Sequence, residues 1–150
     1  MRMLIQRVQQ ARVDIDGKMT DAIGPGLLIL VGIEHDDSAE DMEWLVQKVV
    51  SMRIFSDEEG KMNRDIREVG GDLMVVSQFT LHAATKKGNR PSFIRAARPE
   101  HAIPLYEATV VCFSEQLGKR VATGQFGAMM GVHLVNDGPV TIWMDSKNKE

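Results

Sequence analysis

Five consecutive residues, Ser77-Gln78-Phe79-Thr80-Leu81, place hydroxyl and amide side chains at the end of an apolar run. If the run continues as a strand, its side chains alternate and Gln78, Thr80 and His82 share one face. Such a group suits acyl chemistry, with Thr80 as nucleophile or hydrogen-bond donor, Gln78 orienting a carbonyl, and local backbone N–H groups forming an oxyanion hole. The alternative is an ordinary strand end whose polar side chains face water.

A second segment, Asn136-Asp137-Gly138-Pro139-Val140-Thr141, lies between two apolar, strand-like runs. Proline cannot donate to a sheet ladder and glycine weakens a strand interior, so the Gly138-Pro139 pair predicts a rigid, special backbone geometry. An X-Pro bond can be cis at modest cost, which would turn neighbouring carbonyl groups in one direction. Main-chain atoms held in this way can read the shape of a small ligand. The alternative is a simple hairpin or strand-start turn.

The other reactive side chains do not form a recognisable site. His82 has no carboxylate partner evident in the sequence and is expected to be exposed, so we give it no catalytic role. The His35-Asp36-Asp37 cluster is interpreted as a polar loop, and no Cys/His pattern matches zinc spacing. Cys112 lies among apolar residues and is interpreted as a buried thiol. We expect neither a metal nor a cofactor.

Charge is unevenly distributed along the chain. The net charge is −3, which argues against a general coat for nucleic acid. Between residues 85 and 99, however, there are five basic residues and no acidic one: Lys86, Lys87, Arg90, Arg95 and Arg98. A local basic patch on an acidic body suits the docking of one phosphate-rich ligand at one place. The alternative is a solvated basic loop.

Length and composition indicate one globular domain. The chain has 150 residues, of which 43% are hydrophobic, and a single cysteine excludes an internal disulfide. This cysteine usage fits a reducing cytosol. The N-terminus lacks the apolar region of a signal peptide, and the longest apolar stretch, residues 23–33, is too short to span a bilayer. We therefore expect a cytoplasmic protein that does not associate with membranes.

The periodicity of the apolar residues predicts several strands and two main helices. One helix is predicted over 38–53, with Asp41 completing a capping box at Ser38, and another over 99–117, capped by Gly118. Strands are predicted at 3–9, 11–16, 26–33, 73–81, 121–123, 128–135 and 140–144. The first two strands are expected to be joined by a tight turn, and residues 145–150 to be frayed. The pattern indicates a mixed α+β domain.

Taken together, Ser-Gln-Phe-Thr-Leu (77–81) and Asn-Asp-Gly-Pro-Val-Thr (136–141) resemble the paired signature motifs of the D-aminoacyl-tRNA deacylases. The resemblance extends over the whole chain, through four more segments in matching order and spacing. These are Leu-Ile-Gln-Arg-Val (4–8), Gly-Lys-Met-Asn (60–63), Arg-Pro-Ser-Phe (90–93) and Thr-Gly-Gln-Phe-Gly-Ala (123–128). A single short motif would be weak evidence, whereas six in register are specific.

The resemblance implies a deacylase-like domain over residues 1–150 that hydrolyses the ester between a D-amino acid and tRNA, and also acts on glycine mischarged onto alanine tRNA. It implies a homodimer in which Gly138-Pro139 of one subunit, with a cis bond, enters the pocket of the other. Arg7 would hold that pair in place. The Gly138 and Pro139 carbonyls would clash with an L side chain but not with a hydrogen or a D side chain.

For the catalytic step, the resemblance favours assistance by the terminal ribose 2′-OH of the substrate, which would help to activate water. The Phe79 and Thr80 backbone N–H groups would hold the oxyanion, within a catalytic segment that also contains Ser77 and Gln78. A direct role of the Thr80 hydroxyl stays open, because no activating base is evident. The resemblance also implies that acceptor-stem phosphates would be held by Lys86, Lys87 and Arg90.

The expected fold is an α+β single domain with a mixed, largely antiparallel, barrel-like sheet and two main helices, assembled as a homodimer. Two other functions stay open from the residues alone. One is a non-catalytic module that binds and shields tRNA acceptor ends. The other is a general esterase for small esters that would use Ser77 or Cys112.

Overall fold

The first strand, β1 (Arg2–Ile15), is the centre of the sheet in the computed structural model, which describes residues 1–150. One edge of β1 pairs with β8 (Met130–Asp145), and the other pairs first with β3 (Gly26–Gly32) and then with β2 (Lys18–Ile23), all antiparallel. The strands predicted at 3–9 and 11–16 are therefore one strand, and the tight turn between them was wrong. The turn comes later, at Asp16 and Gly17, whose positive φ angles of 51° and 74° suit a short hairpin.

Parallel pairing begins beyond β3. The strand order is β2-β1-β3-β6-β7, where β6 (Asp72–Ser77) and β7 (Ala122–Thr123) run parallel to β3. The two ends of this order approach each other, since the Thr123 N–H donates to Asp21 of β2 at 3.0 Å. The sheet is thus mixed, largely antiparallel and barrel-like, as predicted. A small hairpin of β4 (Phe55–Ser56) and β5 (Met62–Arg64) lies apart from it.

Both predicted helices are present. The first, α1 (Ala39–Val50), begins after Ser38, whose N–H donates to the Asp41 carboxylate at 2.9 Å, and ends three residues before the predicted boundary. The second, α2 (Pro99–Leu117), has the predicted bounds and ends at Gly118, which is left-handed with φ 66°. Neither helix is long and apolar enough to cross a membrane.

The apolar core lies on both faces of the sheet. The helices cover one face, where Leu45 of α1 and Phe113 of α2 are completely buried with Ile29 of β3. A smaller apolar cluster on the other face of the sheet includes Val13 and Met74. Because β3 and β6 are covered on both faces, their sequences are continuous apolar runs without alternation, as expected of parallel strands.

The long strand β8 joins the two runs that were predicted as separate strands at 128–135 and 140–144. It passes through the Gly138-Pro139 segment, so the hairpin alternative was wrong. Opposite this segment the register shifts: Gln6 pairs with Thr141, whereas Val8 pairs with Asn136, so β8 contains an insertion relative to β1. The residues after β8 were predicted to be frayed, yet Ser146 is buried and its N–H donates to the Met1 carbonyl at 2.9 Å.

Candidate active site

A cleft of about 480 Å³ opens at the carboxyl end of β6. Ser77, Gln78 and Phe79 line one side of it. Apolar residues line the remainder, including Phe126 and Met129 before β8 and Ala102 of α2. A largely apolar cleft with a few polar groups at its edge is the usual form of a small-ligand site.

The chain leaves the sheet at Gln78, whose N–H donates to the Val31 carbonyl of β3 at 2.7 Å. Residues Phe79–His82 then form a single 3₁₀ turn, closed by the Leu81 N–H donating to the Gln78 carbonyl at 3.2 Å. The prediction that the strand continues to Leu81 was therefore wrong, as was the alternation of side chains based on it. The polar groups still meet, because Gln78 Nε2 donates to Thr80 Oγ1 at 2.6 Å.

Two backbone N–H groups at the start of this turn have no partner in the chain. The first residues of a helical turn have no acceptor within the turn, and neither the Phe79 nor the Thr80 N–H donates a hydrogen bond in the structure. The two donors are adjacent in sequence, and Phe79 lines the cleft. Preorganised N–H groups of this kind are what an oxyanion hole requires.

The Thr80 hydroxyl has no visible means of activation. It accepts the hydrogen bond from the Gln78 amide, and no histidine, carboxylate or lysine is hydrogen-bonded to it. A hydroxyl nucleophile normally needs an adjacent base. The geometry therefore suits a positioning or hydrogen-bonding group better than a nucleophile.

The Phe79 ring lies outside the core and connects the turn to the basic loop, residues 83–98. Its side chain is 56% exposed and contacts Phe93 edge to face, with ring centroids 5.1 Å apart. The loop is closed by two hydrogen bonds between Ala84 and Ser92, of 2.8 and 3.0 Å. The three cations predicted to bind phosphates, Lys86, Lys87 and Arg90, lie between these residues; all three are exposed and form no ion pair.

Arg95 of the same loop differs from those three cations. Its guanidinium donates to Glu34 Oε2 from Nε at 3.0 Å and from Nη2 at 2.7 Å. Glu34 follows β3 and is 8% exposed. The basic segment itself contains no acidic residue, but the fold places Glu34 from another part of the chain against Arg95.

The Gly138-Pro139 segment lies elsewhere on this chain. The bond between the two residues is cis, both are exposed, and neither lines the cleft. Arg7 is beside them: its Nε donates to the Asp137 carbonyl at 3.2 Å and lies 3.0 Å from the Asp137 carboxylate. The structure thus brings Arg7 to the Gly-Pro segment, and brings Ser77, Gln78, Phe79 and Thr80 together, but it does not join the two groups within one chain.

His82 is not exposed, contrary to the prediction. It is 1% exposed, and its Nδ1 lies 3.8 Å from Glu34 Oε2, so a carboxylate is close to it after all. Burial lowers the pKa of His82 below its usual value. Residues 34 and 82 are far apart in the sequence, so no local sequence pattern indicates that they are neighbours.

The other candidate residues, Asp37 and Cys112, lie in surroundings that indicate structural roles. Asp37 is buried, accepts the Glu34 N–H at 2.7 Å and pairs with the Met1 amine. No three His, Cys, Asp or Glu side chains are grouped as metal ligands would be. Cys112 lies half-buried in α2, and burial raises the pKa of its thiol, which disfavours the reactive thiolate.

Sequence reasoning gave no site role to Glu34 or to Phe126. Phe126 lies in the 123–128 motif, so the signal was present but had no assigned role. Glu34 lies two residues after the end of the continuous apolar strand β3, and a polar side chain near a strand end is a recognised sign of a site. Its partners come from residues 82 and 95, which only the fold brings close.

Comparison with known proteins supports these observations. A family model described as D-Tyr-tRNA(Tyr) deacylase matches residues 4–145. Curated relatives named D-aminoacyl-tRNA deacylase include proteins of Akkermansia muciniphila, 61% identical, and Bacteroides thetaiotaomicron, 59% identical, each over 100% of both chains.

Solved structures agree in fold. One, described as c-Myc DNA Unwinding Element Binding Protein, has a TM-score of 0.91 and 36% identity, covering 97% of this chain and 98% of the other. Another, described as a probable eukaryotic D-amino acid tRNA deacylase, has a TM-score of 0.81 with 19% identity, over 95% and 97% of the two chains. At that identity the second likeness concerns the fold alone.

The fold, the strand-end cleft and these matches define a carboxylic ester hydrolase. The chain belongs to the D-aminoacyl-tRNA deacylase family.

Proposed function

We propose that residues 1–150 act as one deacylase domain that hydrolyses the ester of D-aminoacyl-tRNA, and of glycine mischarged onto alanine tRNA. The products are the free amino acid and tRNA. Family membership supports the reaction. The observation that carries the site assignment is the pair of partnerless N–H groups of Phe79 and Thr80 beside the cleft. In ester hydrolysis the carbonyl oxygen becomes negatively charged, and these donors would stabilise it.

The attacking water would be activated with the help of the 2′-OH of the terminal ribose. This assignment is supported by the absence of a base beside Thr80. Gln78 would hold the Thr80 side chain, and through it the turn, in the geometry that presents both N–H groups. Ser77, which lines the cleft at the end of β6, would contact the substrate.

Rejection of L-amino acids would require a second subunit. Gly138 and Pro139 are exposed and lie outside the cleft of their own chain, so a partner's copy would have to supply them. β8 pairs only with β1, which leaves the other edge of a 16-residue strand open. A long open edge favours pairing with another chain. In such a homodimer the carbonyls of Gly138 and Pro139 would face the substrate α-carbon and exclude an L side chain.

Substrate docking would involve the exposed cations Lys86, Lys87 and Arg90, which are free to meet acceptor-stem phosphates. Phe79 and Phe93 join that loop to the cleft, so a bound acceptor end would be led to the partnerless N–H groups. Since charged tRNA is used in the cytoplasm, we place the protein there.

The decisive experiment compares D-tyrosyl-tRNA with L-tyrosyl-tRNA as substrates. We expect release of tyrosine from the D form and none above background from the L form. Equal turnover of both would refute the chiral assignment. Binding of charged tRNA without hydrolysis would instead favour the acceptor-end shielding module, and hydrolysis of small esters that is abolished by Ser77→Ala or Cys112→Ala would favour the general esterase.

A further inference from the structure

His82 is a buried polar side chain with unsatisfied hydrogen-bonding groups. It is the last residue of the Phe79–His82 turn, and its side chain has no exposed surface. Neither Nδ1 nor Nε2 forms a hydrogen bond of normal geometry, although the Gly32 backbone of β3 is close enough to the ring to favour its protonated form. Buried polar groups are nearly always paired, so such a ring calls for an explanation.

The ring is tightly seated. A Cβ atom at Gly32 of β3 would lie 3.1 Å from His82 Cδ2 and 2.9 Å from Leu81 Cβ, so only glycine leaves room for the turn. Arg2 of β1 donates from Nη1 to the Leu81 carbonyl at 2.8 Å. The end of the turn is thus held against both strands, and a movement of the ring would be passed to the rest of the turn.

Three charged groups surround the imidazole. Glu34 lies 3.8 Å from Nδ1 and favours the protonated ring, whereas Arg2 and the Met1 amine oppose it. Arg95 of the basic loop occupies the Glu34 carboxylate with two hydrogen bonds. Burial is the main reason that the pKa of His82 is lowered, and Arg95 compensates the charge of Glu34 while it remains bound there.

We propose that His82 is a positioning residue that couples Arg95 in the basic loop to the turn carrying Phe79 and Thr80. When tRNA phosphate attracts Arg95, Glu34 becomes a buried carboxylate without its cation, which is strongly unfavourable. The nearest donor is His82 Nδ1, and an approach of about 1 Å would form a normal hydrogen bond. That movement tightens the turn and adjusts the oxyanion donors when substrate is docked. The inference rests on the proposed function for its substrate, but not for the linkage itself.

The linkage can be measured without catalysis, by NMR titration of the His82 ring nitrogens in the full-length protein. The His82→Gln spectrum identifies the signal. Arg95→Ala should raise the pKa of His82, because Glu34 then acts on the ring without compensation. Lys87→Ala is the matched control: it removes a cation from the same loop that does not touch Glu34, and should leave the pKa unchanged.

Two further arms complete the test. In a Glu34→Gln background, Arg95→Ala should no longer change the pKa of His82. Added uncharged tRNA should raise it in the wild-type protein, as Arg95→Ala does. A pKa that does not respond to Arg95→Ala, responds equally to Lys87→Ala, still responds in the Glu34→Gln background, or ignores tRNA would overturn the proposal.

A double-mutant cycle tests the consequence for the reaction. We expect Arg95→Ala to lower kcat/KM for D-tyrosyl-tRNA, and to lower it less when His82 is already Gln, since coupled residues are not additive. Fully additive effects contradict the coupling. If the wild-type protein does not hydrolyse D-tyrosyl-tRNA while the NMR linkage is observed, the proposed function fails and the linkage stands.

Discussion

The Arg7 guanidinium is bound to Asp137, the residue before Gly138, through both the backbone and the side chain of that aspartate. Nε donates to the Asp137 carbonyl at 3.2 Å and lies 3.0 Å from its carboxylate. Nη1 donates to the Ile54 carbonyl, and Arg7 is 8% exposed. Arg7 of β1 therefore links the insertion in β8 to the loop after α1 through its hydrogen bonds.

Replacing Arg7 tests whether its contacts with Asp137 and Ile54 are needed for stability and for deacylation. Arg7→Ala should lower the free energy of unfolding by about 1–3 kcal/mol, because it leaves the buried Ile54 carbonyl without its donor. It should also slow deacylation. Arg12→Ala is the control, since Arg12 is half-exposed and pairs only with Asp14. Urea unfolding and hydrolysis of D-tyrosyl-tRNA measure the two effects, and equal behaviour of both variants would argue against a need for these contacts.

Gly138→Ala should damage the same region through side-chain contact. Gly138 has φ +121°, and an added Cβ would lie 3.1 Å from Arg7 Nη2 and 3.0 Å from Val140 Cγ2. Gly60→Ala is the matched control, because φ is +77° there but nothing lies within 4 Å. Both variants should lose some stability, and only Gly138→Ala should lose most of its deacylase activity. Similar activity in the two variants would contradict the role of this segment.

The origin of the catalytic base can be decided by changing either enzyme or substrate. Thr80→Ala removes the hydrogen bond from Gln78 that helps to position the turn but removes no catalytic base, so it should slow deacylation by no more than about tenfold. Substrate with a terminal 2′-deoxyadenosine should be cleaved about 10²-fold more slowly or worse, the usual effect of losing a general base. Single-turnover hydrolysis measures both. An inactive Thr80→Ala enzyme together with normal cleavage of the deoxy substrate would refute substrate assistance.

The exposed basic loop should contribute to tRNA affinity through phosphate contacts. The double variant Lys86→Ala, Lys87→Ala should bind tRNA more weakly and reduce the slope of log affinity against log salt by about 1–2. Lys18→Ala with Lys61→Ala removes two cations from other parts of the surface and should leave the slope unchanged. Binding measured over a range of salt concentrations distinguishes the two, and an unchanged slope for the first pair would exclude the loop from the interface.

Acid stability should depend on Asp145 at the end of β8. Burial raises the pKa of Asp145, but hydrogen bonds from Arg2, at 2.8 Å, and from the Lys147 N–H outweigh it and leave the pKa lowered. The stabilisation is therefore complete above the unfolded value of about 3.9 and is lost as pH falls through the folded pKa. Asp145→Asn should be less stable at pH 7 and lose less stability on acidification. Urea unfolding from pH 7 to pH 3 checks this, and parallel curves would contradict it.

Elements with strong local signals were predicted correctly. The bounds of β3 and α2 could be predicted from adjacent residues. A continuous apolar run indicates a strand that is buried on both faces, and Gly118 marks the end of the helix. The strand was predicted to continue beyond Gln78, which was wrong because the 3₁₀ turn depends on packing against Gly32 of β3, a residue distant in sequence. The continuity of β1 and β8 was also missed, since each is supported by pairing with the other.

The sequence alone determined the family, the two helices and the segments that could do chemistry, because motifs, caps and periodicity are properties of residues close together in the chain. Only the tertiary structure decided which donors are available and which charges meet. The partnerless N–H groups of Phe79 and Thr80 depend on how the turn leaves the sheet. The neighbours Glu34, His82 and Arg95 come from distant parts of the chain. Burial and pairing of this kind arise only when separate segments pack, so no local pattern encodes them.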